Sequence, residues 1–235
     1  CSEMFVNGFL KLIEAGIIRR EVYGDTVLQQ MLNDGRLPSE VVTPETVRAL
    51  LAAGRIGTPL SEADVAFLKK FGILRAGVTL DGRELVLDGE RCSSDLADKE
   101  AFDKLCATML GARLIGGIYM TGGFFLGPND FYERLRTMPP QELAKIDMTR
   151  IDFINQLYGQ GDLKRAQRRK ARFMNTTMIA TLLGAVASDA LESGQVVSGV
   201  GGQYNFVAMA HALPDARLLM MLRATHDNKD GLKSS

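Results

Sequence analysis

Apolar positions recur along this chain at more than one period, and each period predicts a different element. Phe5, Phe9, Leu12 and Ile13 fall at i, i+4, i+7 and i+8, one apolar stripe that predicts a helix closed by Gly16. Glu3 stands at or just before the start of that helix, where the dipole favours an ionised carboxylate. Val47, Leu50 and Leu51 repeat the helical spacing between Glu45 and Ala53. Ser61-Glu62-Ala63-Asp64 has the form of a capping box, opening a helix with Val65 and Leu68 inward. Val78–Leu80 and Glu84–Leu87 flank Asp81-Gly82, the signature of a hairpin. Phe102, Leu105, Cys106 and Met109 form a further helical stripe, with Gly111 at its end.

From residue 111 the text turns to glycine and short continuous apolar runs. Leu114–Met120 reads as a strand, Thr121–Pro128 as a loop with room for a short apolar strand inside it, Asp130–Arg136 as a short helix broken by Pro139-Pro140, and Ile151–Asn155 as a strand. Phe173–Ile179 is a buried element that carries Asn175, and Arg217–Leu222 is a short buried strand. Between them Val196-Val197 predicts a strand that feeds Ser198-Gly199-Val200-Gly201-Gly202-Gln203, and Phe206–Leu213 has helical spacing. Strand, glycine loop and helix together aim backbone N–H groups at an anion or a developing oxyanion. The ordinary alternative is a glycine turn between two buried elements. Alternating strands and helices predict an α/β fold, a mostly parallel sheet flanked by helices, built from residues 1–35 and 111–235. Residues 36–110 read as a small helical and hairpin insertion subdomain.

Composition narrows the function more than the fold. Across 235 residues, 46% are hydrophobic and 24% charged, as in an ordinary globular chain of one or two domains. Lys+Arg and Asp+Glu are both 28, so no global field favours nucleic acid or a membrane surface. The cysteines (Cys1, Cys92, Cys106) are odd in number and form no CxxC pair, which points to a reducing, cytoplasmic compartment. With His211 and His226 the only histidines, a His-rich metal site is not expected. No apolar run reaches the ~18 residues of a membrane span. Lys164–Arg172 carries six positive charges. Such a run reads as a solvated helical face, or functionally as a phosphate contact for a nucleotide-bearing cofactor. It lacks the interleaved aromatics of a nucleic-acid surface. A dinucleotide-binding dehydrogenase is disfavoured, because no G-x-G-x-x-G follows a first strand.

Three stretches then take on meaning together. Ser2-Glu3-Met4-Phe5 with Asn7-Gly8 is similar to the glutamate motif of the acetyl-CoA hydrolase/transferase family, which includes 4-hydroxybutyrate and succinyl-CoA:acetate CoA-transferases. Phe173-Met174-Asn175 resembles its asparagine-bearing strand, and Ser198–Phe206 resembles its glycine motif, GxGGQ-x-D-F. The likeness runs through residues 1–35 and 111–225. Asn205 stands where the family pattern has aspartate, and 36–110 has no counterpart in the shorter transferases, as in a longer, bacterial-type subfamily. The resemblance implies the C-terminal portion of a longer protein, with the family's N-terminal half as a missing partner.

It also implies an acyl-CoA hydrolase or CoA-transferase, a homodimer, without nucleic-acid or membrane partners. No cofactor would be tightly bound; a coenzyme A thioester and a small carboxylate or water would be the substrates. Carried over residue by residue, Glu3 is the nucleophile that forms a glutamyl-CoA thioester. Gly201 and Gly202 supply oxyanion donors, Asn175 hydrogen-bonds the same charge or the Glu3 carboxylate, and Gly199, Val200 and Gln203 contact the coenzyme. The competing reading is a non-catalytic α/β domain that binds a CoA- or nucleotide-like ligand, or is structural in a larger assembly. What separates the two is whether Glu3 and the Gly201-Gly202 backbone reach a shared reacting atom.

Overall fold

The computed structural model describes residues 1–191, 193–228 and 231–234. In chain order the elements are β1 (Ser2–Phe5), α1 (Asn7–Glu14), α2 (Thr26–Asn33), α3 (Pro44–Ala52), α4 (Glu62–Lys70), β2 (Thr79–Asp81), β3 (Glu84–Leu87), β4 (Glu90–Ser93) and α5 (Lys99–Thr108). There follow β5 (Met120–Phe125), α6 (Asn129–Thr137), α7 (Pro140–Leu143), β6 (Ile146–Met148), α8 (Ile151–Asn155), α9 (Gly161–Gln167), β7 (Arg172–Thr176), β8 (Ile179–Ala180), β9 (Val186–Ala187), α10 (Gln203–Ala212), β10 (Arg217–Met221), β11 (Thr225–Asn228) and β12 (Gly231–Ser234). The chain divides into two compact units: residues 1–6, 121–126 and 148–235 form one, and residues 7–120 and 127–147 the other.

In the unit of residues 7–120 and 127–147, local capping decides where helices start. The Ser61 hydroxyl accepts from the Asp64 N–H at 3.2 Å while the Asp64 carboxylate accepts from the Ser61 N–H at 3.0 Å, a closed capping box on α4. Asp25 caps α2 by accepting from the Leu28 N–H at 3.0 Å, and Asp98 caps α5 by accepting from the Glu100 N–H at 3.0 Å. Pro44 opens α3 at a position where a missing N–H has no helical partner to lose. These helices and the antiparallel β2–β3–β4 meander enclose one core, in which Tyr23, Leu28, Leu50, Leu68, Ile73 and Leu105 are fully buried. Each such side chain stabilises the unit by about 1.5–3 kcal/mol over its exposed state.

The other unit is a set of parallel pairings between distant segments. β1 pairs with β5 in parallel, Ser2 opposite Gly122 and Met4 opposite Phe124. β7 pairs with β10 in parallel, Phe173 opposite Leu218 and Asn175 opposite Met220. A short connection leads from α10 to β10, so α10 crosses from β7 back to its parallel neighbour as the helix of a βαβ unit. Phe173, Met209, Ala210 and Leu213 bury the seam between helix and strands, with Phe206 tilted over Phe173 at 5.9 Å. The antiparallel pairs β8–β9 and β11–β12 are local hairpins. The fold is α/β, with β1–β5 and β7–β10 paired in parallel.

Several expected elements are corrected. Leu114–Tyr119 is irregular apart from an isolated bridge at Ile118, and the strand β5 opens at Met120 and runs to Phe125, inside the stretch read as a loop with a short apolar strand. The glycines that suggested a loop lie inside β5 because its neighbours press on the backbone: a Cβ on Gly122 would stand 3.1 Å from the Met148 sulfur, and one on Gly123 2.8 Å from the Glu3 carbonyl oxygen. Ile151–Asn155 is helix α8 rather than a strand. Val196-Val197 forms no strand; Val196 makes a single bridge to Ala190. Glu3 lies within β1, not at a helix start.

Candidate active site

Three elements of the first unit converge on the Glu3 carboxylate. β1 delivers it. Phe5, fully buried and edge-on to Phe125 at 5.6 Å, anchors the strand, and the Leu126 N–H donates to the Phe5 carbonyl at 3.0 Å. α8 delivers Asn155, whose Nδ2 donates a short hydrogen bond to Glu3 Oε1. α10 delivers Gly202, its buried N-cap residue. A Cβ on Gly202 would stand 2.9 Å from Glu3 Cδ and 3.0 Å from Asn155 Nδ2, so only glycine leaves room for the carboxylate. The Phe206 N–H makes the first turn's bond, to the Gly202 carbonyl at 3.0 Å. The N–H groups ahead of it have no intrahelical acceptor, and the positive end of the helix dipole falls there. A helix N-terminus does therefore face Glu3, but it belongs to α10 and not to α1.

Asn175 reaches the same region by topology. It lies near the carboxyl end of β7, on the face that Phe173 presents to α10, because side chains two apart share a face. α10 runs antiparallel to β7 and β10, which brings its N-terminus to their carboxyl ends, the usual place for a ligand in such units. Among the described residues, no hydrogen bond joins Asn175 to Glu3. Asn175 Nδ2 and Asn155 Oδ1 are both buried without a hydrogen-bond partner among the described residues. Such orphaned groups cost about 1–3 kcal/mol each unless a ligand or water completes them.

The remaining expected residues are placed less tightly. Gly199, Val200 and Gly201 are exposed, and a Cβ on Gly199 or Gly201 would meet nothing within 4 Å. Gln203 accepts a short hydrogen bond from the Ser188 hydroxyl. Sequence reasoning did not single out Asn155; its five-residue helix offers too few positions for a period to show. The basic run is also corrected. Arg165, Arg169, Lys170 and Arg172 are exposed as expected, whereas Lys164 and Arg168 are buried and donate to backbone carbonyls of 153–158.

In the second unit, a 490 Å³ cavity includes Glu21, Glu40, Arg113 and Lys145 in its wall. Two of its cations are engaged, Lys145 with Glu21 at 3.2 Å and Arg113 with Glu40 at 3.8 Å. Among the described residues, no group of acidic, His or Cys side chains could hold a metal ion, and no helix is long and apolar enough to cross a membrane.

The described residues thus bring together a carboxylate, the amide that holds it and a glycine-capped helix N-terminus. Residues 127–235 match the acetyl-CoA hydrolase/transferase C-terminal domain. No curated protein and no solved structure matches the chain. Asn155, Asn175, Gly202 and Gln203 lie inside the matched segment; Glu3 lies outside it, so the case for Glu3 is geometric.

Proposed function

We propose that the protein is an acyl-CoA hydrolase or CoA-transferase that works through a glutamyl-CoA thioester on Glu3. The observation that carries the reading is the Glu3 carboxylate, hydrogen-bonded by Asn155 and seated against the N-cap glycine of α10. Glu3 attacks the thioester carbonyl of the acyl-CoA; the C–S bond breaks and leaves a mixed anhydride and CoA thiolate. The thiolate attacks the glutamyl carbonyl of the anhydride and expels the acyl group as its carboxylate. The resulting enzyme thioester is opened by water, one proton of which ends on the CoA sulfur and the other in solvent as Glu3 returns to its carboxylate, or by a second carboxylate, which forms a new mixed anhydride and expels the thiolate that then takes its acyl group. Covalent catalysis of this kind replaces one difficult displacement with easier ones.

Charge develops on the carbonyl oxygen at each attack. Backbone N–H groups at Gly201-Gly202 and the unpartnered Asn175 Nδ2 are the donors in reach of the α10 end, each worth roughly 3 kcal/mol in a preorganised site. The Asn155 hydrogen bond orients the nucleophile; being charge-assisted, it is of the stronger kind.

The test is peptide mass spectrometry after brief exposure of the protein to acetyl-CoA and borohydride, which reduces a glutamyl thioester to an alcohol. The expected result is a loss of about 14 Da on the peptide that carries Glu3, absent in Glu3→Ala. An unmodified Glu3 under turnover with several acyl-CoAs refutes the covalent role and leaves the glycine turn as a ligand-binding or structural element.

A further inference from the structure

We infer that Lys164 and Arg168 are positioning residues for the proposed nucleophile: they fix the carboxyl end of α8 so that Asn155 meets Glu3. The inference rests on the role proposed for Glu3, but its geometry stands apart from the chemistry. α8 has only five residues and cannot hold itself by its own ladder. Its terminal carbonyls need donors from elsewhere. Arg168 supplies one set, Nη2 donating to the Phe153 carbonyl at 2.9 Å and Nη1 to the Gln156 carbonyl at 3.4 Å. Lys164 supplies the other, Nζ donating to the Gln156 carbonyl at 3.0 Å and the Tyr158 carbonyl at 2.8 Å. The same ammonium lies over the Phe153 ring, 4.6 Å from its centroid. These contacts bracket Asn155 on both sides along the chain.

Arg168 also reaches the other wall of the site. Its Nη1 contacts the Met209 sulfur at 2.7 Å, and Met209 is a buried residue of α10. One guanidinium thus touches the helix that bears Asn155 and the helix whose N-cap glycine receives the carboxylate. Neither cation has an ion-pair partner among the described residues, although 2% of Lys164 and 8% of Arg168 remain exposed. Buried cations without carboxylates are expensive. Carbonyls at a helix carboxyl end are the one backbone feature that offsets the expense, because the dipole there is negative. Burial pushes the Arg168 guanidinium down to about 10 and lowers the Lys164 ammonium, yet Arg168 at that value stays charged near neutrality.

A purely structural clasp and a positioning device differ in one readout, the coupling between Asn155 and Glu3. In NMR spectra of the whole chain, Glu3→Ala is expected to move the side-chain amide signals of Asn155. In an Arg168→Met background the same substitution leaves those signals where they are. kcat for CoA release falls about 10- to 100-fold with KM within threefold, and Arg168→Lys restores part of the loss. Lys164→Met serves as the second variant should Arg168→Met fail to fold. A folded variant in which Asn155 still responds to Glu3→Ala overturns the inference, and so does the failure of both variants to fold. The amide readout needs no coenzyme. Lost coupling with no borohydride-trapped Glu3 sinks the covalent reading alone, whereas trapping with coupling intact sinks the positioning role alone.

Discussion

Gly202→Ala is the sharpest probe of the site, because it adds one carbon where the structure has no room for it. The backbone there has φ −81° and ψ 5°, which alanine adopts without strain. The whole effect is therefore steric and local. The new methyl would stand 2.9 Å from Glu3 Cδ, against a preferred carbon separation of roughly 3.5 Å, so the carboxylate must retreat by about 0.6 Å or more. It must also part from Asn155 Nδ2, which would lie 3.0 Å from the methyl. A charge-assisted hydrogen bond is worth about 1.5–3 kcal/mol, or roughly 10- to 100-fold in rate. A nucleophile displaced by about 1 Å loses up to about 100-fold on its own. Both losses come from one displacement, so they overlap rather than multiply. kcat/KM for CoA release from acetyl-CoA is expected to fall about 100-fold. Alanine is a poorer N-cap than glycine by about 0.5–1 kcal/mol, which lowers Tm by only a few degrees. A Gly202→Ala enzyme at parental rate refutes the placement of Glu3 against α10.

Three further substitutions probe other links in the chain of causes. Gly123→Ala places a methyl 2.8 Å from the Glu3 carbonyl oxygen and onto the Ile151 side chain, and is expected to destabilise by about 1–3 kcal/mol and to lower activity with it; urea melts beside rate measurements check this, and unchanged values count against the β1–β5 register. Ser61→Ala opens the capping box of α4 and is expected to cost about 1 kcal/mol in chemical denaturation, with kcat within about twofold. Burial pushes the Cys106 thiol from 9.0 up to about 11. Below pH 9 the thiol is protonated in both states. Between those values the unfolded chain ionises first, so Tm is expected to fall as pH rises from about 9 to about 11, less steeply in Cys106→Ala. A slope identical in the two proteins contradicts the assignment.

The readings that survived contact with the structure are those whose causes are local. Ser61 and Asp64 satisfy each other's backbone N–H groups within one turn, so α4 could be placed from four residues. The Asp81-Gly82 turn likewise needs nothing beyond its own dihedrals, Gly82 standing at φ +60°. Glycine without such a context is ambiguous. Gly122-Gly123 carry the same letters as a loop, and only the neighbours pressing on β5 reveal that they are there for closeness rather than for a turn. Ile151–Asn155 failed for a related reason. Five residues hold neither a period of 2 nor one of 3.6, and the donors that stabilise the helix come from Lys164 and Arg168.

The site shows the same division. Motif resemblance selected Glu3, Asn175 and Gly202, but the helical period of Phe5–Ile13 supplied the wrong surroundings for Glu3, because the helix whose N-terminus it meets begins far along the chain. Asn155 was invisible for a deeper reason: an asparagine becomes functional through what its amide touches, and that contact is made by elements which sequence patterning misassigned. The basic run carries the general point. Charge is legible in a sequence, whereas the medium around the charge is not. Six cations suggested solvent or phosphate, yet two of them lie in the interior, donating to the carbonyls beside the residue that bonds Glu3. Buried cations without carboxylate partners persist when the backbone they hold is worth more than their desolvation. Here that backbone is the short helix that carries Asn155 to Glu3.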